Sequence, residues 1–309
     1  MIFDDPTRFE NLSDDALAAR ITVPKRRRKV ITRPRSAMML NPLKLHHLNR
    51  IDDLDADIVV INLEDGVAPA MKRRALLLAA LFLSHLEESR SRIIVRVNPL
   101  DEGGAEEIRL LNRVRPDSIR VAKIRTPEDV ARALKLIDPE IMLHLSIETK
   151  EALEHLPRLN VDGRVECASL GVMDMLHALG LPHTLLTPDN PTLRYLLSRF
   201  LVDCRIAGMY PIGFTYQEYR DTDTFRRWCL LEREMGYTAK SCLGPAQVAI
   251  ANEIFAPDAE AKARAEYIKA RFEAMRAQNV TGFMDERYGF IDEPIYKDAL
   301  LTLEKFSIK

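Results

Sequence analysis

The chain has 309 residues, 47% of them hydrophobic and 29% charged, with a formal net charge of −1 at pH 7. This is an ordinary globular balance with enough apolar material for a full core. It leaves no global field that would favour nucleic acid or an anionic membrane as a partner.

The N-terminus, MIFDDPTRFENLSDD, is polar and acidic, unlike the basic-then-apolar order of a secretory signal. Residues 1–34 read as an extension without a sustained apolar period. Its basic run Pro24–Lys29 (PKRRRK) reads as a solvated segment. From residue 35 onward, short β-like runs alternate with helical patterns. The runs are Ser36–Leu40, Ile58–Leu63, Ile93–Val97, Ser118–Ala122, Ile141–Ile147, Cys167–Leu170, Gly208–Ile212 and Lys240–Leu243. Ile58–Leu63 (IVVINL) has the continuous apolar character of a strand buried on both faces. Helices are expected at Lys72–Glu88, Ala105–Val114, Pro127–Ile137, Lys150–Leu156, Leu193–Ala207, Thr222–Met235 and Pro245–Phe255. Thr126-Pro127-Glu128-Asp129 is a strong helix start, with Thr at the cap, Pro at the first position and acids in the first turn.

Eight strand–helix units in this space predict a (β/α)8 TIM barrel over residues 35–256, with a doubly wound open sheet as the alternative. No GxGxxG or GxxxxGK[ST] follows the early strands, which weighs against nucleotide-binding folds. Residues 257–309 read as a C-terminal helical lid segment, with a long charged helix at Asp258–Ala277 and a final element at Tyr288–Phe306. The longest apolar stretch, near Ala75–Leu83, is far shorter than a membrane span. Cys167, Cys204, Cys229 and Cys242 are widely spaced without a CxxC, as expected of buried free thiols in a reducing compartment. A cytoplasmic location is therefore expected, with no nucleic acid and no membrane among the partners.

In a parallel barrel the chemistry sits at the C-terminal ends of the strands. Glu64 and Asp65, Arg96 and Asn98, Lys123, Glu148 and Asp174 all fall there. A carboxylate after a strand is often only the cap of the next helix, and Asp65 or Glu148 alone would fit that role. Charged groups on five consecutive strand ends are harder to explain so, and Arg96 and Lys123 are not caps. Two carboxylates suit Mg²⁺, which takes oxygen ligands and retains water. No HxH or HxxxH occurs, which disfavours zinc. Metal and arginine together would receive a 2-keto acid, gripping its carboxylate and polarising its carbonyl.

The motifs Glu64-Asp65-Gly66-Val67, Val95-Arg96-Val97-Asn98, Ile147-Glu148-Thr149 and Ser169-Leu170-Gly171-Val172-Met173-Asp174 occur in that order. Gly236-Tyr237 with Lys240, Pro245-Ala246-Gln247-Val248 and Gly289-Phe290-Ile291-Asp292-Glu293-Pro294 follow. From residue 35 to the C-terminus the chain resembles the citrate lyase beta-subunit-like family, within the HpcH/HpaI aldolase and citrate lyase group of metal-dependent TIM barrels. The resemblance implies a carbon–carbon lyase that splits a 3-hydroxy-acyl thioester, on CoA or an acyl-carrier protein, into an acyl thioester and a 2-keto acid. It implies Glu148 and Asp174 as Mg²⁺ ligands, with Glu148 also at the substrate, and Arg96 on the keto-acid end. It further implies Glu64 supporting the hydrated metal and the substrate, Asp292 as an acid/base group serving a neighbouring subunit, and a homotrimer.

Three positions depart from the family pattern. The first loop, Met39-Leu40-Asn41-Pro42, is short and lacks glycine. Gly213 stands where the acid after the seventh strand is expected, and Gly244 where a histidine is expected. They cluster on the thioester side. This leaves two alternatives open: an aldolase acting on free hydroxy-keto acids, and a catalytically impaired barrel used as a binding protein.

Overall fold

The computed structural model describes residues 2–24, 29–31 and 33–307. Most of the basic run expected at the start, Lys25–Arg28, lies outside the described residues. The chain divides into two compact units, Met1–Phe255 and Ala256–Lys309.

The first unit is built on eight parallel strands: β1 (Ser36–Leu40), β2 (Ile58–Asn62), β3 (Arg92–Val97), β4 (Ser118–Val121), β5 (Met142–Ile147), β6 (Val165–Leu170), β7 (Tyr210–Ile212) and β8 (Lys240–Cys242). From β1 to β7 each strand pairs with the next in sequence, and β8 pairs back onto β1. The remaining seam is joined at one point, where the Gly213 amide donates to the Ala239 carbonyl at 2.9 Å and the Gly213 carbonyl accepts from the Ser241 amide at 3.0 Å. The fold is thus a nearly closed α/β TIM barrel, the architecture expected from the alternation of runs.

The reason the first four residues of β2 are all apolar is visible in the strand's two faces. Val59 and Ile61 join the large core between strands and helices, while Ile58 and Val60 join a smaller cluster with Ala37, Ile94, Cys167 and Ile212. Burying side chains of this size contributes roughly 1.5–3 kcal/mol each.

Around the barrel stand α4 (Lys72–His85), α5 (Gly104–Val114), α6 (Pro127–Leu136), α7 (Lys150–His155), α8 (Val172–Ala178), α9 (Pro191–Ile206), α10 (Thr222–Met235) and α11 (Pro245–Ile254), after three short helices, α1 (Thr7–Glu10), α2 (Asp14–Ala18) and α3 (Leu45–Leu48). Thr126 and Asp129 form the capping box that opens α6. Residues before β1 pack on this unit. Phe3 and Leu17 are buried, Asn49 bonds the backbone of Phe3, and Arg74 of α4 pairs with Asp14 at 3.1 Å. All four cysteines are free and buried.

The second unit holds α12 (Ala259–Arg276), an antiparallel hairpin of β9 (Gly282–Asp285) and β10 (Gly289–Asp292), and α13 (Glu293–Ser307). Its own small core includes Ile268, Phe272 and Ile291. The sequence reading gives α12 as a helix and Tyr288–Phe306 only as a final element, and it misses the hairpin, whose strands are short and half exposed. Among the described residues no helix is long and apolar enough to cross a membrane.

Candidate active site

At the C-terminal ends of the strands lies a cavity of about 250 Å³, with Asn62, Arg96, Arg120, Glu148, Ser169 and Asp174 in its lining. Strand alternation brings them there. Ile93 and Val95 face the helices, so Arg96 faces inward. Arg96 Nη2 lies 2.9 Å from Glu64 Oε2, 3.1 Å from Glu148 Oε2 and 3.6 Å from Asp65 Oδ2. The other oxygen of Glu148 accepts the Lys123 amide at 2.7 Å. Lys123 sits at φ +52°, and its ammonium lies 3.8 Å from Glu64 Oε1.

Neither expected cap reading fits Glu148 or Asp65. The cap of α7 is Thr149, whose hydroxyl accepts from Ala152, and Asp65 opens no helix.

Glu64 and Glu148 are buried carboxylates. Desolvation raises the pKa of Glu64 to about 7, against the opposing pull of Arg96. Desolvation also raises that of Glu148, with the charges of Asp174 and Asp65 acting in the same direction and Arg96 against it. The Glu64 loop is held by Lys72, whose Nζ donates to the carbonyls of Leu63 and Glu64 and to Asn98 Oδ1, at 2.8, 2.6 and 2.8 Å. Asn98 is in turn fixed by Glu107.

The structure therefore brings Arg96, Glu64, Glu148 and Asp174 to one end of the barrel. Asp292 lies in the second unit, where its carboxylate accepts from the Ile295 amide at 3.2 Å and caps α13. Two residues escaped the sequence reading. In the sequence Lys72 reads only as a helix start. Arg120 reads there only as part of a strand, although SIRVA alternates and puts Ser118 and Arg120 on one face.

The donor set fits magnesium. Glu148 and Asp174 offer hard oxygens, and the cavity lining contains no imidazole or thiol. Among the described residues no three or more His, Cys, Asp or Glu gather as a ready-made cage, so water or substrate would complete the ion's shell. Gly171 keeps this corner open, because a Cβ there would stand 2.8 Å from Glu148 Oε2.

A family model described as HpcH/HpaI aldolase/citrate lyase matches residues 36–245. A (3S)-malyl-CoA thioesterase of Cereibacter sphaeroides is 30% identical over 72% of this chain and 77% of its own length. The mitochondrial citramalyl-CoA lyase of Mus musculus is 26% identical over 82% of this chain and 80% of its own. Among solved structures, a citrate lyase from Burkholderia xenovorans superposes with a TM-score of 0.77 at 22% identity, over 89% of this chain and 92% of that one. The protein CitE of Mycobacterium tuberculosis, in complex with magnesium, acetoacetate and coenzyme A, gives 0.71 at 18% identity, over 89% and 98%.

Proposed function

The chain belongs to the HpcH/HpaI aldolase/citrate lyase family, and from that premise we propose that it is a Mg²⁺-dependent carbon–carbon lyase acting on a 3-hydroxy-acyl-CoA. The products are an acyl-CoA and a 2-keto acid. The observation that carries this reading is the single guanidinium of Arg96 set between Glu64 and Glu148, in the cavity that also holds Asp174.

Glu148 and Asp174 hold the ion. When bound it acts as a Lewis acid toward the keto-acid oxygens. Arg96 grips the carboxylate of the keto-acid half through its planar fork and keeps Glu148 oriented. Glu64, with a pKa near 7, shares a proton with the hydroxyl side of the substrate. Asp292 moves the proton at the α-carbon of the acyl thioester, acting from a neighbouring subunit of a homotrimer. CoA is favoured over an acyl-carrier protein or a free hydroxy-keto acid because relatives of both kinds, thioesterase and lyase, carry CoA substrates in their names.

A second reading is hydrolysis of the thioester itself, favoured by the (3S)-malyl-CoA thioesterase relatives. One experiment separates them. The protein is incubated with Mg²⁺ and malyl-CoA, citramalyl-CoA or citryl-CoA, and the products are resolved by mass spectrometry. Acyl-CoA with a 2-keto acid supports the lyase. Free CoA with an intact hydroxy-diacid or hydroxy-triacid supports the thioesterase. No turnover of any thioester would sink both.

A further inference from the structure

Arg120 enters the cavity from β4, and among the described residues its Nε and Nη2 have no hydrogen-bond partner although the residue is only 3% exposed. The other buried Arg and Lys side chains of the barrel each hold a carboxylate. Arg92 pairs with Glu166, Arg96 with Glu64 and Glu148, and Lys240 with Glu232. Among the described residues no carboxylate pairs with Arg120. Its Cα is in register with Arg96 on β3 and His144 on β5, so two guanidinium groups stand side by side on neighbouring strands. Ser169 Oγ, on the same cavity wall, is also buried, and among the described residues it has no hydrogen-bond partner. A buried cation with unfilled donors is costly, and the cost disappears when an anion fills them. Desolvation is the main reason that Arg120 is drawn down to about 10, with Cys167 and Glu148 opposing and Arg96 adding to the fall.

Arg96 already faces carboxylates, so a monocarboxylic keto acid received there leaves Arg120 unanswered. We propose that Arg120 determines specificity. It receives a second anionic group on the keto-acid half, so that the site takes 2-keto dicarboxylates in preference to 2-keto monocarboxylates. This rests on the keto-acid reading of the cavity given above. A site built around a buried donor discriminates strongly against an analogue that leaves the donor unpaired.

The test is calorimetric titration of the full chain, with Mg²⁺ present, by oxaloacetate and by pyruvate, for the wild type, Arg120→Met and Arg120→Lys. The wild type is expected to bind oxaloacetate at least about tenfold more tightly than pyruvate. Arg120→Met should lose that preference while holding pyruvate within about twofold of the wild type, since only the second anion loses its partner. Arg120→Lys keeps the charge but loses the fork, so oxaloacetate should weaken more than pyruvate. Equal affinity of the wild type for both acids overturns the proposal and leaves the keto-acid site standing. So does an equal loss for both acids in the variants, which would make Arg120 a purely structural residue. If Arg120→Met does not fold, Arg120→Lys decides by the same ratio. A wild type that binds neither acid overturns the keto-acid site, and this inference with it.

Discussion

Arg96 on β3 and the residue that follows β5, Glu148, meet across β4, with 3.1 Å between Arg96 Nη2 and Glu148 Oε2. The contact ties the proposed substrate grip to a proposed metal ligand, so a change at one side chain removes a partner of the other. Arg96→Lys substitutes a point charge for the fork and cannot serve Glu64, Glu148 and a substrate carboxylate together. The expected result is a fall in 2-keto-acid affinity of roughly ten- to a hundredfold, read by titration with pyruvate or oxaloacetate. Unchanged affinity for both acids would count against the role.

Magnesium dependence has a direct check. Chelation should abolish turnover of the acyl-CoA substrate, and added Mg²⁺ should restore it. Glu148→Gln and Asp174→Asn should each weaken Mg²⁺ binding by at least about tenfold, because each removes one of two protein carboxylates from a hard-ion site. Titration of Mg²⁺ into the two variants measures this without any substrate. Wild-type Mg²⁺ affinity in both would remove these residues from the metal site.

Inside the barrel, His144 lies 3.3 Å from Glu166, whose carboxylate also holds Arg92 and accepts from Ser118. Burial, with Arg92 and Arg120 adding to it, lowers the pKa of His144 from 6.5 to about 4 despite Glu166. The folded protein therefore refuses a proton that the unfolded chain accepts. Stability from this group is complete above pH 6.5 and is lost as the pH falls from 6.5 toward 4. Glu166 is held at about 2, against its burial, by His144 and Arg92, so its contribution is lost further down, from 4.5 toward 2. Between pH 7.5 and pH 5 the His144 share comes to roughly 2 kcal/mol. Urea unfolding at both pH values should show that drop in the wild type and a drop smaller by about that amount in His144→Gln. An equal drop in the two proteins would place the acid sensitivity elsewhere.

Gly213 joins the barrel seam, and the carboxylate of Glu232 from α10 lies beneath it. A Cβ at residue 213 would stand 2.1 Å from Glu232 Oε2. Glu232 is fully buried with Lys240, 2.7 Å from its ammonium, and that ammonium also lies 3.4 Å over the Phe214 ring. Gly213→Ala should destabilise the fold by roughly 1–3 kcal/mol, through overpacking against a pair that has no room to shift. Denaturant titration measures this, and an alanine tolerated without loss would show that the seam adjusts freely.

The assembly proposal makes its own demand. Arg96→Ala and Asp292→Asn should each be inactive alone. Mixed after subunit exchange, they should recover part of the activity, since mixed trimers contain sites with both native residues. Exchange without recovery would confine Asp292 to the capping of α13 seen in this chain, or to its own subunit.

The sequence by itself determined the repeating plan and named much of the candidate site. A run such as IVVINL reads as a strand buried on both faces, and β2 is one. The alternation of Val95, Arg96 and Val97 turns the arginine away from the helices, and Glu148 and Asp174 follow strands five and six closely enough to reach the same rim. These are local signals, set by periods of two and 3.6 residues. The tertiary structure decided what depends on distant partners. Arg120 had the same alternation as Arg96, but its significance is the lack of a carboxylate, which only the packed barrel interior reveals. The loss of an acid at residue 213 reads in the sequence as a missing group, whereas the fold fills that space with Glu232, 19 residues onward on a helix. Residues before β1, polar along the chain, place Phe3 and Leu17 in the core because α4 offers them a surface. Local patterns carry the energy of a strand or a turn. Burial, charge pairing and shape complementarity are sums over neighbours far apart in sequence, and they exist only once the chain has closed on itself.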